Sequence, residues 1–432
     1  MSEAHGKTSG LRVLVVGSGG REHALVWAMA KSPSVAGVWA APGNDGMASL
    51  ATLVPLAATD VLALTTWADE NSIDLVVIGP DAAVAAGLAD SLQAAGIPAF
   101  GPSQAASELE WSKAFAKDFM TRHGIPTASY GVYDDVGDAL AFVSRADMPL
   151  VIKADGLAAG KGVLICETRE QATSAVRSFM QERTFGDAGA CVVIEAFLTG
   201  PELSVFALVD GERYVLLPLA RDYKRLIDGD AGPNTGGMGS FAPVTDVPAA
   251  VLDEIRHRVL EPTIAGMRSE GRPYRGVLYV GFMLTPDGPR VLEYNCRFGD
   301  PETQVLLPLL DEDVALLLLA CARGQLMRAS VAVHDAVAVC VVLASAGYPE
   351  HPRVGDPITG IADAEKRGAL VFQAGVKRDG ARLLTNGGRV LATVGVAESL
   401  REARSLAYAA AEDVTFAGSH LRHDIALPTD CL

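Results

Sequence analysis

The pattern of apolar and polar positions gives the chain three successive textures. Residues 11–16 form an apolar run, broken only by Arg12 and closed by Gly17-Ser18-Gly19-Gly20, and residues 21–31 then repeat apolar side chains at helical spacing. A second run over 35–40 ends in Ala41-Pro42-Gly43-Asn44, and a later one over 75–78 ends in Gly79-Pro80-Asp81. Strands alternating with helices predict parallel βαβ units. Open parallel sheets collect ligands at the carboxyl ends of their strands, where each of these runs carries a glycine turn.

From Glu108 the texture changes. A helix carrying Lys113 leads through Gly124-Ile125-Pro126 to a strand over 150–153 and a loop over 154–161, and an apolar run over 191–194 precedes Glu195-Ala196-Phe197-Leu198. Residues 203–219, turning at Asp210-Gly211, read as an antiparallel meander. Strands over 277–284 and 290–294 read as a hairpin across Pro286-Asp287-Gly288, and strand alternation then presents Glu293 and Asn295 on one face. A helix ending near Ala329, a strand over 336–344, short strands through Thr393, a helix and a final strand complete the prediction. The expected architecture mixes α/β and α+β domains: a parallel N-terminal α/β domain (1–108), a central domain (109–331) and a small β-rich C-terminal domain (332–432).

Length and composition agree with this division. A chain of 432 residues exceeds one hydrophobic core, and 49% hydrophobic against 20% charged residues excludes a disordered chain. The net charge of −16 argues against a nucleic-acid surface, which needs clustered Lys and Arg. No run is apolar and long enough to span a bilayer, and residues 1–10 lack a signal core, so a cytoplasmic protein is expected, as a monomer or weak dimer. The six cysteines, including Cys431, show no metal or redox spacing and read as reduced, buried thiols.

Several segments carry candidate chemistry. Gly17-Ser18-Gly19-Gly20-Arg21-Glu22 begins like a dinucleotide fingerprint, but Glu22 stands where a small residue is needed and no acidic residue closes the second strand. A phosphate at this helix N-terminus, with Arg21 or His23 nearby, is one reading and a plain tight turn is the other. Residues 155–162 form a Gly/Ala loop directly after Lys153, including Gly156, Gly160, Lys161 and Gly162; it is either a lid over a triphosphate or a surface hairpin with a solvated lysine. Glu195-Ala196-Phe197-Leu198 has the form of an adenine edge, with Glu202 placed for ribose hydroxyls. The loop over 230–239, after Lys224 and Arg225 and containing Asn234, is long and without periodicity, which usually marks function. Glu293 and Asn295 offer hard oxygens to a divalent cation that keeps phosphate and water ligands, unless Glu293 is spent in a buried ion pair with Arg297.

The order of Lys strand, Gly loop, edge and Glu-x-Asn resembles the ATP-grasp enzymes. More narrowly, Gly17-Ser18-Gly19-Gly20-Arg21-Glu22-His23-Ala24, Ala41-Pro42-Gly43-Asn44, Lys153 through Gly162, the loop over 232–239, and Arg297-Phe298-Gly299-Asp300-Pro301-Glu302-Thr303-Gln304 resemble the glycinamide ribonucleotide synthetase family, with Gly347-Tyr348-Pro349 and Asn386-Gly387-Gly388-Arg389-Val390 resembling its C-terminal domain. The resemblance implies a central ATP-grasp domain whose segment 125–197 moves as a lid. It implies ATP and Mg2+ or Mn2+, with glycine and 5-phosphoribosylamine as small-molecule substrates. Lys153 and Arg297 would act in catalysis. Lys113, Lys153, Gly156, Gly160, Lys161, Gly162, Glu195, Phe197, Leu198, Glu202, Lys224 and Asn234 would hold ATP, and Glu293 and Asn295 the metal. Gly19, Arg21, Glu22, Asn44, Asp222, Arg297, Gly299 and Asp300 would hold substrates. Departures from the pattern are Gly281, where related enzymes place a second metal carboxylate, and Ala196, Asp81, Gln373 and Val376. Another ATP-grasp enzyme, such as a biotin-dependent carboxylase subunit or a formate-using transformylase, is the nearest alternative, and a nonenzymatic ATP-binding regulator a more distant one.

Overall fold

In the computed structural model, residues 10–157 and 162–427 are described. The calls on Gly160, Lys161 and Cys431 lie outside them.

The N-terminal apolar runs form one parallel sheet in the order β3-β2-β1-β4-β5, with β1 Leu11–Gly17, β2 Val35–Pro42, β3 Thr52–Leu53, β4 Leu75–Ile78 and β5 Ala99–Phe100. Both faces are covered. Val13, Val15, Leu75 and Val77 pack into one core cluster, and Leu14, Val16, Val76 and Ile78 into another. This double burial explains why the sequence shows nearly continuous apolar runs instead of alternation.

β6 Tyr130–Tyr133, β7 Leu150–Ala154, β8 Val163–Cys166 and β9 Val192–Ala196 form a separate antiparallel sheet in the order β6-β9-β7-β8, with its own core under helix Arg169–Val176. β10 Glu202–Asp210 and β11 Tyr214–Leu216 realise the predicted meander. Next come β12 Arg221–Asp222, β13 Arg225–Ile227, β14 Ala231–Asn234 and β15 Gly239–Ala242. The loop expected over 230–239 is therefore largely structured: β13 and β14 pair as a hairpin, and Gly232 takes a φ of +80° beside it.

β16 Arg275–Thr285 and β17 Gly288–Asn295 form the expected hairpin and join β10 in the order β11-β10-β16-β17. One face of this sheet carries Val205, Ala207, Leu278, Val280, Phe282 and Tyr294 into a core. The opposite face is apolar at Phe206, Leu208 and Val277 and turns polar towards Ser204, Gly281 and Glu293. The sheet thus passes from core to site along a single face.

The helix expected to reach Ala329 ends at Ala322, because Gly324 takes a left-handed φ of +70°. β18 Val337–Ala344, β19 Pro357–Ile358, β20 Leu370–Gln373, β21 Val376–Asp379, β22 Arg382–Thr385 and β23 Arg389–Ala397 follow, then helix Leu400–Asp413. No strand forms after that helix among the described residues; Thr415 and His420 make only isolated bridges. β12 and β15 pair into the sheet β12-β15-β18-β23-β20, so residues 221–242 are built into the same sheet as the C-terminal strands. Cys166, Cys296, Cys321 and Cys340 are buried and unpaired. No helix among the described residues is long and apolar enough to cross a membrane.

Candidate active site

The Lys strand and the Glu-x-Asn hairpin meet. Lys153, at the end of β7, is 6% exposed, and its Nζ donates to Leu292 O at 3.0 Å, one residue from Glu293. It also pairs with Glu195 Oε1 at 2.8 Å, while Glu195 Oε2 pairs with Lys117 Nζ at 2.8 Å. Lys117 in turn donates to Thr127 Oγ1 at 2.7 Å. Burial brings the Lys117 ammonium down to about 8 against the pull of Glu195. The Glu195 carboxylate, expected at the adenine edge, is therefore held between two lysines. Phe197 and Leu198 follow β9, and Phe197 stands 37% exposed at the open rim. Lys113 Nζ donates to Gly156 O at 3.1 Å, which ties the start of the Gly/Ala loop to the helix Lys113–Arg122.

Register across the hairpin places Gly281 opposite Glu293 and Tyr279 opposite Asn295, so Glu293 and Asn295 share one face, as the alternation predicts. The alternative reading of Glu293, a buried ion pair with Arg297, is not what the structure shows. Arg297 Nη2 instead pairs with Glu110 Oε1 at 3.0 Å and donates to Asn295 Oδ1 at 2.8 Å, while Glu110 Oε2 accepts from Cys296 N at 2.7 Å. Glu293 has no hydrogen bond or ion pair among the described residues. Burial pushes its carboxyl up, but Lys224, Lys153, Lys113 and Arg297 outweigh that and hold it below the usual range. It is ionised at neutral pH and open to a cation. Asn295 is 7% exposed, and its Nδ2 meets no acceptor.

Below this pair lies an acidic group. Lys224 Nζ sits 2.5 Å from Glu202 Oε2 and 4.0 Å from Asp222 Oδ2. Burial, against Lys224, pushes the Asp222 carboxyl up to about 7. Asn234 lies half-buried at the end of β14, across from Arg225.

The N-terminal turns face a cleft of about 580 Å³, whose walls include Gly19, Asn44 and Asp300 and, from the C-terminal part, Lys377, Asn386 and Arg389. Glu22 folds beneath two turns: its Oε2 accepts from Gly19 N at 2.6 Å, its Oε1 from Arg21 Nε at 2.6 Å, and a Cβ on Gly79 would lie 2.2 Å from Oε1. This carboxylate caps the helix N-terminus that the sequence offers to a phosphate. Asn44 Nδ2 bridges Ser18 O at 2.7 Å and Gln373 O at 3.0 Å, fixing the turn to β20. Arg21 Nη1 donates to Phe298 O at 3.0 Å. Asp300 meets Gln304 Nε2 at 2.8 Å and Arg389 Nη1 at 3.3 Å, and Gly299 leaves room for Glu302, whose Oε2 would lie 2.3 Å from a Cβ there.

Periodicity and motif spacing did not single out Glu110, Lys117, Lys377 or Arg389 as site residues. A buried pair such as Glu110–Arg297 joins residues 187 apart in sequence, which no local pattern reports; the Asn386-Gly387-Gly388-Arg389 run was the one available signal for Arg389.

His23 is neutral and its Nδ1 is tied to β20. Its Nδ1 accepts from Gln373 N at 2.9 Å, and burial holds the imidazole down at about 4 against the usual 6.5, so it is neutral. Between those values the unfolded chain takes up a proton that the native state refuses, so stability falls as pH drops from 6.5 towards 4, by about 3 kcal/mol over the window. Urea midpoints at pH 7.5 and 5 are expected to fall less for His23→Gln than for the parent. Equal acid sensitivity would show that His23 is not held neutral.

Comparison with known proteins identifies the family. Sequence profiles described as phosphoribosylglycinamide synthetase N domain, ATP-grasp (A) domain and C domain match residues 11–110, 111–303 and 338–428. A phosphoribosylamine–glycine ligase of Caulobacter vibrioides is 50% identical over 96% of this chain and 97% of its own length. The trifunctional purine biosynthetic protein adenosine-3 of Gallus gallus is 47% identical over 96% of this chain, which spans 42% of that longer protein. The crystal structure of the phosphoribosylamine–glycine ligase of Thermotoga maritima superposes with a TM-score of 0.85 at 40% identity, covering 96% of this chain and 100% of that one. A biotin carboxylase domain of Hydrogenobacter thermophilus, at 16% identity and a TM-score of 0.70 over 95% and 91% of the two chains, shares the fold. The chain belongs to the phosphoribosylglycinamide synthetase family, with its ATP-grasp architecture.

Proposed function

We propose that this chain joins glycine to 5-phosphoribosylamine using ATP, through a glycyl phosphate, and releases glycinamide ribonucleotide, ADP and phosphate, a step of purine synthesis in the cytoplasm. The observation that carries the reading is the 3.0 Å hydrogen bond from Lys153 Nζ to Leu292 O, which brings the Lys strand against the Glu293/Asn295 hairpin. Phosphoryl transfer needs positioning and charge stabilisation more than covalent help, and Lys153, Lys113 and Arg297 surround the place where that charge develops.

Phe197 and Leu198 line the adenine edge. Glu202, Lys224 and Asn234 face the nucleotide from below, and Gly156, Gly160, Lys161 and Gly162 close over its phosphates. An acyl phosphate hydrolyses readily, so the segment over about 125–197 acts as the lid that keeps water out. The donor set fits Mg2+ or Mn2+, since Glu293 is an ionised carboxylate without a hydrogen bond or ion pair among the described residues and Asn295 Oδ1 has a lone pair beyond its bond to Arg297. Bound there, the ion would neutralise charge on the phosphate oxygens.

Phosphoribosylamine takes the 580 Å³ cleft, between the turns of Gly19 and Asn44, supported by Arg21 and Glu22, and the wall of Asp300 and Gly299. Lys377, exposed and without an ion pair among the described residues, offers its charge to the substrate phosphate. The working units of this reading are residues 1–108, 109–331 and 332–432.

A coupled ADP-release assay tests the reaction. Release is expected only when glycine and phosphoribosylamine are both present. Release driven by bicarbonate or formate in place of glycine, or ATP binding without turnover, would overturn it.

A further inference from the structure

Two hydrophobic cores meet in the central part of the chain. Ala139, Leu150, Ile152, Val192 and Ile194 pack into one, beneath the sheet β6-β9-β7-β8. Ala116, Phe119 and Met120 of helix Lys113–Arg122 pack with Val205, Leu278 and Val291 into the other, which is the body of the domain. The chain passes from the body into the smaller unit through Thr127 and leaves it through Glu195. These crossings lie side by side: Tyr130 stands opposite Glu195 in the sheet, and Ala196 N donates to Ser129 O at 2.9 Å.

One side chain of the body is fastened to both crossings. Lys117 is 2% exposed. Its Nζ donates to Thr127 Oγ1 at 2.7 Å, pairs with Glu195 Oε2 at 2.8 Å and faces the Tyr130 ring at 5.7 Å from the centroid. An ammonium has three protons, and these three partners account for them. The tie continues in two directions. Thr127 Oγ1 donates to Val291 O at 2.7 Å, on β17 and two residues before Glu293. Glu195 carries it to Lys153 at 2.8 Å.

The charge count gives the lysine a purpose beyond bracing. A buried carboxylate needs one cation to offset its desolvation, and Glu195 has two. With Lys117 balancing Glu195, the charge of Lys153 is left over for an anion. Without Lys117, Glu195 would draw on Lys153 alone, away from Leu292 O. We propose that Lys117 is a positioning residue: it pins the two strands on which the segment over 125–197 pivots and balances Glu195, so that Lys153 keeps its place at the Glu293/Asn295 hairpin and its charge for the phosphates.

The assignment rests on the ligase reading above and adds what governs how tightly the segment closes. A loosened pivot admits water to the glycyl phosphate. Water then attacks the acyl carbon, the carbon–oxygen bond to phosphate breaks, and glycine and phosphate leave, with one water proton carried by the phosphate and the other passing to solvent. ATP is spent and no amide forms.

Rates of ADP release and of glycinamide ribonucleotide formation, measured together in Lys117→Met and Thr127→Val, test this. The parent is expected to release one ADP for each ribonucleotide. Lys117→Met, which keeps the buried volume and removes the charge, is expected to release at least about two, with ribonucleotide formation at least about tenfold slower. Thr127→Val loses only the hydroxyl that links the lysine to Val291 O, so it keeps the question open to measurement even if the methionine variant does not fold. Its ratio is expected to exceed the parent's by at least about a third. A lysine that served stability alone would lower the melting temperature and the amount of active enzyme and leave the ratio at one. A parent-like ratio in Thr127→Val, or in a folded Lys117→Met, would overturn the assignment. A parent that releases no ADP with glycine and phosphoribosylamine would instead overturn the ligase reading itself.

Discussion

Glu293→Ala is expected to lower kcat by about a thousandfold or more, since it removes the ionised carboxylate proposed as the metal's protein ligand. Here the opposite position is Gly281, and no group of three or more His, Cys, Asp or Glu side chains able to hold a metal occurs among the described residues. In the proposed site, metal ligation from the protein rests on the Glu293 carboxylate and the Asn295 amide. Lys224, Lys153, Lys113 and Arg297 keep Glu293 ionised, so the ligand is ready at neutral pH. The check is the rate as a function of Mg2+. Glu293→Gln, which keeps shape and loses charge, is expected to need far more Mg2+ for its residual activity, and an unchanged kcat in Glu293→Ala would remove the metal assignment.

Lys153→Ala carries the second large effect, a fall in kcat of about a hundredfold to a thousandfold, as when a single preorganised donor is removed from a charge-stabilising site. The structure refines the reason. Lys153 is one of two lysines on Glu195, and its bond to Leu292 O sets its ammonium against the metal hairpin. Its removal leaves Glu195 paired with Lys117, so the buried carboxylate keeps a partner and the fold should survive with a modest loss of stability. Lys153→Arg is expected to recover part of the rate, because the charge returns while the geometry does not. A melting curve separates folding from chemistry, and an alanine variant as fast as the parent would end the role given to Lys153.

The same residues show why some contacts could be read early. Glu293 and Asn295 share a face because side chains alternate along any strand, and the Pro286-Asp287-Gly288 turn fixes where the strand begins. Lys153 ends a strand on apolar pattern alone. Its sharing of Glu195 with Lys117, 36 positions earlier, is not visible in any local pattern. The loop over 230–239 read as irregular because its strands are four residues or shorter and rich in glycine, below the length at which alternation shows.

Sequence alone determined the parallel N-terminal units, the hairpin that carries Glu293 and Asn295, and the family, because periodicity, turn chemistry and contiguous motifs are local properties of the chain. Tertiary structure decided which charges meet. Glu110 takes Arg297 away from Glu293, Glu22 caps the turn offered to phosphate, and β12 and β15 join the C-terminal sheet. Lys377 and Arg389 reach a cleft opened by residues more than three hundred positions earlier. Electrostatic pairing depends on distance in space and on burial, and neither is written in the spacing of residues along a strand or helix.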